Sequence, residues 1–527
     1  MVRLPWPYPM HGVRLPQPWK NSDGRYVNLV LHDRRQMPVG QGGFHVGSLR
    51  HVKGGEYRHP PFDDSARFKG AEFLYVYDCG SSPKTEVERE IKDLISHRSE
   101  RHLNILFLSH FDLDHICGTP MLLGARRKRL PGFTVDTIVL PYVDHVERLI
   151  SFARATSISL ERGRSVPDFF RRMIINPVAA LSEFDPRQII FVEGDEPPSD
   201  GDAGTMPDPD LGPWSGSGPE TRLEIGFGFR IEASYTVSDS DPARSALRPE
   251  VRIRRLGGGQ GSAAVSSLLA RDFAFRVHDW GGVLGWRLTP HVRSAPKAAI
   301  EAFERAAEVE LKWAAGSFRS KIAVSSVRLE TVTKHRMKLA RAYGAIFGKS
   351  NKNLTSMSLY SGPANPEEAD GWTITPVLLP HLETKIGWMG TGDTPLKDVH
   401  DISTFERFYS NDMKRITTFM FPHHGSIENS EPGQLVSQAD TFVAAADPSH
   451  DWEHPSKQLC KAASLTGAAV EVVMKQRKTA FDESVLVTWG DDRDELEKLF
   501  SAGPGPNSEG AKTFAGIEGI ENAALVR

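Results

Sequence analysis

An α/β fold follows from three features of this 527-residue sequence. Short apolar runs recur as strands, segments with helical spacing separate them, and residues with metal or acid–base chemistry collect just behind several of the apolar runs.

The first half sets the pattern. Alternation in "YVNLVLH" (26–32) and "EFLYVYDCG" (72–80) reads as strands, and "TEVEREIKDLIS" (85–96) has helical spacing. "NILFLSH" (104–110) and "TVDTIVLPY" (134–142) are further strands, followed by a helix in "HVERLISFARA" (145–155). A Pro/Gly/Asp loop at 197–219 and an Arg/Gly-rich stretch at 243–262 then bracket an insertion. Strands are expected in "TRLEIGFGFRIEASYTV" (221–237) and "DFAFRVHDWGGVLGWRLTPHV" (272–292), and a long helical segment over about 296–347. Strand and loop alternation resumes in "NLTSMSLYSG" (353–362), "IGWMGTGD" (386–393), "ITTFMFPHHGS" (416–426), "DTFVAAADP" (440–448) and "GAAVEVV" (467–473). No repeat of fixed period occurs. The expected organisation is one domain in two halves, 1–195 and 349–490, split by an insertion at 196–348 and followed by a C-terminal helix and flexible tail at 491–527.

Composition narrows the class without naming a function. Lys plus Arg (64) nearly balance Asp plus Glu (67), so any surface for nucleic acid or anionic lipid must be a local patch. Cys79, Cys117 and Cys460 lie far apart without CxxC spacing, which argues against a disulfide framework or a thiolate zinc site and fits a reduced cytoplasm. The proline-broken start "MVRLPWPYPMHGVRLPQPW" lacks the apolar core of a signal peptide, and no window offers the ~18 apolar residues of a membrane span. A soluble cytoplasmic protein is the expectation.

The chemistry concentrates in "LSHFDLDHICG" (108–118), where His110, Asp112, Asp114 and His115 follow an apolar strand directly. A tight loop from strand to the helix expected in "ICGTPMLLG" lets these offsets converge above a sheet edge, where open α/β sheets place their sites. Imidazole nitrogens and carboxylate oxygens suit divalent metals. "MGTGDT" puts Asp393, and "FPHHGS" puts His423 and His424, behind two further apolar strands beside glycines that permit close approach.

The ordered set "YVYDCG" (75–80), "SHFDLDH" (109–115), "TGD" (391–393), "PHHGS" (422–426) and "HPS" (454–456) resembles the metallo-β-lactamase fold hydrolases. Within them it is similar to the branch that includes the soluble hydrolase domain of competence DNA-uptake channel proteins, whose first strand turn "VGQGGF" (39–44) also resembles. The resemblance covers about 25–195 and 350–490. It implies an αββα sandwich with a large central insertion and two divalent metal ions along one edge. His110 and Asp112 would hold one ion, Asp114 and His115 the other, and Asp393 would bridge them. His423 would complete the second site, with His424 serving instead or in addition, and Asp78 would brace the ligand loop. His454 would face substrate, where it could protonate a leaving group or contact a phosphate. Asp112 departs from the usual histidine, and its hard oxygen tilts preference from zinc toward manganese, iron or magnesium. The separate histidine that many members supply before the bridging aspartate has His145, His291 and His381 as counterparts by order alone.

The resemblance implies metal-activated hydrolysis in which Asp114 orients the attacking water. The "HHGS" and "HPS" pair favours a phosphodiesterase or nuclease acting on DNA or RNA. A small-molecule ester, thioester or lactone hydrolase is the second class, and an effector of a bacterial defence system, activated by a protein partner through 196–348, is the third. Plainer readings stand beside these. His424 is buried structure if the chain is extended there, and His454 reads equally as a cap of the helix of "SKQLCKAAS"; His45 is an ordinary core or surface histidine and Cys117 is packing. Arg126, Arg127, Lys128 and Arg129 form either a solvated face or a track for a phosphate backbone.

Overall fold

The computed structural model describes residues 29–52, 72–98, 100–124, 132–161, 163, 165–194, 223–224, 230–235, 252–255, 265–269, 273–279, 282–348, 354–364, 369–374, 381–383, 385–434, 439–449 and 453–489. These build an α/β structure with two mixed sheets, one of eleven strands and one of nine.

Through the larger sheet run, in order, Phe481–Trp489, Leu29–Gln36, His45–Val52, Glu72–Tyr77, His102–Phe107, Thr134–Pro141 and Gln188–Val192. The last four are parallel. The smaller sheet holds a second parallel run, Ala469–Val473, Thr441–Ala445, Ile416–Met420 and Gly387–Gly390. Ser356–Pro363 and Gly282–Arg293 extend it in antiparallel fashion. Parallel neighbours need crossover connections, which explains why the helices fall between these strands.

Strand Glu72–Tyr77 shows how the layers form. Phe73, Tyr75 and Tyr77 point to a core shared with Trp286, Leu359 and Trp388 of the smaller sheet. The alternate residues Leu74 and Val76 point the other way, among Ile91, Leu149 and Phe152 of the helices. A period of two thus serves two apolar layers, and the sheets face each other across the first. The outer face of the smaller sheet is covered by Phe405 of the helix Val399–Phe408, by Tyr409 just after it, and by Leu459 of the helix Lys457–Leu465. His45 belongs to the inter-sheet layer, stacked on Trp388 with ring centroids 3.9 Å apart.

The helix His145–Glu161 begins with a reciprocal cap: Glu147 N–H donates to Asp144 Oδ1 and Asp144 N–H donates to Glu147 Oε2, each at 2.9 Å. Its apolar face packs with Phe303, Leu339 and Tyr343 from the segment expected as an insertion. That segment's long helical run is four helices, Lys297–Leu311, Phe318–Ala323, Ser325–Lys334 and Arg336–Phe347. The first stops where Lys312 turns left-handed at φ 60°. Strands of the same segment continue both sheets: Val265–Leu269 pairs with Gln188–Val192, and Phe273–Asp279 with Gly282–Arg293. All three cysteines are free thiols. No helix among the described residues is long and apolar enough to cross a membrane.

Candidate metal centre

The centre lies where parallel strands of both sheets end. Behind His102–Phe107 the chain leaves the sheet through Ser109, and Asp112 opens a one-turn helix, Leu113–Ile116, which carries Asp114 and His115. A second one-turn helix, Thr119–Leu122, follows in place of one continuous helix. Asp78, at the end of the neighbouring strand, holds this loop: it accepts Ser109 N–H at 2.6 Å and Ser109 Oγ at 2.7 Å. Its Oδ2 also meets His115 Nδ1 at 2.8 Å. Asp78 does this from a left-handed backbone at φ 62°.

The "VGQGGF" turn backs the loop from behind. Gly43 N–H donates to Asp114 O at 3.0 Å, and Gly80 N–H donates to Gly43 O at 2.8 Å. A Cβ on Gly43 would stand 2.8 Å from both Asp78 Cβ and His115 Nδ1, so only glycine allows this approach.

Asp393 and the histidine pair arrive from the smaller sheet. Asp393 N–H donates to Ser356 Oγ at 3.0 Å, and His423 N–H to Gly392 O at 2.9 Å. His423 and His424 both adopt left-handed backbone, with φ 49° and φ 61°. In an extended chain their rings would diverge, whereas this double turn keeps the centroids 5.8 Å apart at one edge of the centre. Left-handed conformations cost about 1–3 kcal/mol each for residues with side chains, and here they cluster around a set of polar groups.

Three rings have Nδ1 taken and Nε2 facing inward. His110 Nδ1 lies 2.8 Å from Ser109 Oγ, His115 Nδ1 meets Asp78, and His423 Nδ1 lies 2.6 Å from Asn429 Oδ1. Asn429 is itself fixed, donating to Asp393 O at 3.0 Å. On the inner side, His110 Nε2 stands 3.3 Å from Asp112 Oδ2 and 3.4 Å from Asp393 Oδ2. His115 Nε2 is 3.3 Å from Asp393 Oδ1, His423 Nε2 3.6 Å from Asp393 Oδ2, and His424 Nε2 3.4 Å from Asp114 Oδ2. Hydrogen-bonding one nitrogen to orient the other is how proteins preset histidine ligands.

Negative charge dominates the centre. Asp78, Asp112, Asp114 and Asp393 converge on it, and the guanidinium of Arg154 faces them at Asp112. Burial opposes the charge on His115, but Asp78 and Asp393 on either side of the ring hold its pKa well above the ordinary value. Burial likewise opposes ionisation of Asp393, yet His423, His110 and His115 hold it well below the carboxylate range. For Asp114 the His424 ring and the charge on His115 outweigh burial in the same sense. His110 and His423 are lowered, chiefly by burial, and stay neutral, the form a ligand needs.

These groups fit a divalent cation. His110, His115 and Asp393 form one set able to hold a metal ion, and Asp114, His115 and His424 a second, sharing His115. Buried His115 Nε2 and His424 Nε2 make no hydrogen bond, an arrangement that costs free energy unless something else occupies the space between them and the carboxylates.

Of the residues expected from the sequence, His110, Asp114, His115, Asp393, His423 and His424 meet here, with Asp78 bracing them. Asp112 is also present, but it forms an ion pair with Arg154 of the helix His145–Glu161. His454 is buried next to the pair, 5.7 Å from His423 between ring centroids. It does not cap the following helix Lys457–Leu465; Ser456 does, accepting Gln458 N–H. His145 is not part of the centre: burial and then Arg148, Arg328 and Arg319 hold its pKa down to about 2. His291 packs on Phe408 with centroids 4.2 Å apart. The side chain of His381 and all of Arg126, Arg127, Lys128 and Arg129 lie outside the described residues. Sequence reasoning passed over Arg154, Ser109, Ser356 and Asn429; the serine beside His110 and the asparagine six residues after His423 were the available signals.

The chain matches no family model and no curated protein.

Proposed function

We propose that this chain is a divalent-metal-dependent hydrolase of phosphodiester bonds in nucleic acid, built on an αββα sandwich of the metallo-β-lactamase type. The observation that carries the reading is the donor set itself: imidazoles from two loops and carboxylates from two, preoriented through Nδ1 and left with inward Nε2 atoms. The motif order and the position at parallel strand ends support the fold type.

Bound at this donor set, a pair of divalent cations (zinc or manganese, with iron or magnesium also suited to the oxygen-rich set) supplies Lewis acidity that polarises the scissile group and acidifies water. The protein's own groups do the rest. Asp114, whose side chain keeps 18% exposure, borders a cavity of about 160 Å³ together with Ser81, Lys84 and Ser159. From there its carboxylate would orient the attacking water and accept a hydrogen bond from it. His454, beside His423, would deliver a proton to the leaving oxygen. Asp78 and Asn429 keep the rings in place through the reaction.

The modest size of the cavity also favours a second reading, a small-molecule ester, thioester or lactone hydrolase. One experiment separates the two: purified chain, loaded with Mn²⁺, Zn²⁺, Fe²⁺ or Mg²⁺ in turn, is offered single- and double-stranded DNA and RNA alongside an ester, thioester and lactone panel. Nucleic-acid cleavage that falls by about 10²–10⁴ in Asp114→Ala is expected. Turnover of the small esters alone would select the second reading, and inertness with every metal and substrate would remove both.

A further inference from the structure

We propose that Arg154 competes with a divalent cation for Asp112, so that the centre loads one cation tightly at Asp114, His115 and His424 and a second only when the guanidinium leaves Asp112. The inference rests on the metal-centre reading above.

Arg154 and Asp112 form an ion pair with side chains only 6% and 4% exposed. Asp112 Oδ2 is the atom that also faces His110 Nε2, at 3.3 Å. A cation held by His110, His115 and Asp393 would gain Asp112 as a further ligand only by sharing that oxygen with a guanidinium already in contact with it, and two positive charges at one carboxylate repel strongly at low local dielectric. In the set of Asp114, His115 and His424 the carboxylate faces the His424 ring rather than a guanidinium. Asp393 lies near enough to the guanidinium to act on its charge, so Arg154 offsets negative charge on the His110 side of the centre.

The surroundings permit the arginine to move one way. Arg154 lines two cavities, one on each side. The cavity on the His110 side, bordered by Glu147 and Thr355, measures about 20 Å³, no more than one water needs. The cavity on the Asp114 side measures about 160 Å³ and is bordered by Ser81, Ser159 and Ser165, hydroxyls that could receive the displaced guanidinium. The helix that carries Arg154 is itself fixed by its capped start and by packing against Phe303 and Tyr343. The movement belongs to the side chain, not the backbone.

The test is a calorimetric titration of the metal-stripped full chain with Mn²⁺, with element analysis after gel filtration. Wild type is expected to bind one equivalent and then a second about 10- to 100-fold more weakly. Arg154→Met should tighten the second step by a similar factor and leave the first unchanged, while Arg154→Lys keeps the two steps apart. Asp112→Asn should leave the first step intact. Two indistinguishable steps in wild type overturn the proposal, as does an unchanged second step in Arg154→Met or a first step weakened more than about tenfold in Asp112→Asn. If Arg154→Met fails to fold by circular dichroism, the wild-type profile and Asp112→Asn decide. Wild-type protein that binds no divalent metal at all would instead remove the metal centre itself.

Discussion

His115 reaches Asp78 through Nδ1 at 2.8 Å while its Nε2 stands 3.3 Å from Asp393 Oδ1. One imidazole therefore links the loop's brace to the shared carboxylate, and the brace sets which nitrogen is offered. Asp78→Asn tests this. Asparagine tolerates the left-handed backbone at φ 62° and can still accept Ser109 N–H, so the fold should persist. With Oδ1 kept on Ser109 N–H, the amide nitrogen replaces Oδ2 and cannot accept from His115 Nδ1, and divalent-metal affinity should fall about 10- to 100-fold. Titration calorimetry together with circular dichroism would detect this, and unchanged affinity would remove Asp78 from its bracing role.

Gly80 tests the backing of the loop. A Cβ there would stand 2.5 Å from Asp114 C and O and 2.6 Å from His115 N, all backbone atoms that cannot rotate away. Gly80→Ala should cost about 1–3 kcal/mol in denaturant unfolding and weaken metal binding as the loop shifts. Gly344→Ala is the control, since nothing lies within 4 Å of its position in the helix Arg336–Phe347. It should be stabilising by about 0.5–1 kcal/mol.

Glu147 gives a pH dependence that does not involve the centre's ligands. Burial, and then the neighbouring Asp144 carboxylate, push its carboxyl up to about 7 from 4.5. The folded chain thus keeps a proton that the unfolded chain has lost between those values. Stability falls as pH rises through that window, and the penalty is complete above about 7. Glu147→Gln should abolish this slope and gain about 1–2 kcal/mol at neutral pH, less than the full shift because the side chain retains some solvent contact. Thermal unfolding of both proteins from pH 4.5 to 8 measures the difference; parallel curves would refute it.

Much of this arrangement was legible in the sequence because strand ends announce themselves. An apolar run stops, and an aspartate or histidine sits there beside a glycine; Asp393 and His423 stand out in this way whatever the strand pairing. What could not be read was anything set by packing between distant segments. Arg154 looks like any arginine on an amphipathic helix, and only the docking of His145–Glu161 over the ligand loop brings it to Asp112. The helical run at 297–347 shows continuous helical spacing, and its breaks at Lys312, Val324 and His335 involve no proline; they fall where short helices pack against His145–Glu161 and against one another. His424 is ambiguous in the sequence for a local reason: its placement depends on two consecutive left-handed residues, which are uncommon outside glycine.

That double turn permits the last prediction. His424 belongs to the set with Asp114 and His115, whereas His423 faces Asp393 and is tied to Asn429. Asparagine accepts left-handed backbone, so His423→Asn and His424→Asn should both fold without metal. A ligand that binds only the native chain stabilises it by about 2.7 kcal/mol at a hundredfold excess over its dissociation constant, which raises the unfolding temperature. His424→Asn should abolish most of the rise produced by low Mn²⁺, because the set it leaves has only Asp114 and His115. His423→Asn should keep the rise at low Mn²⁺ and lose the further increment at high Mn²⁺, since its partner Asp393 serves the His110 side as well. Scanning calorimetry across a metal series distinguishes the two patterns. An equal loss in both variants would mean that the paired histidines serve a single position.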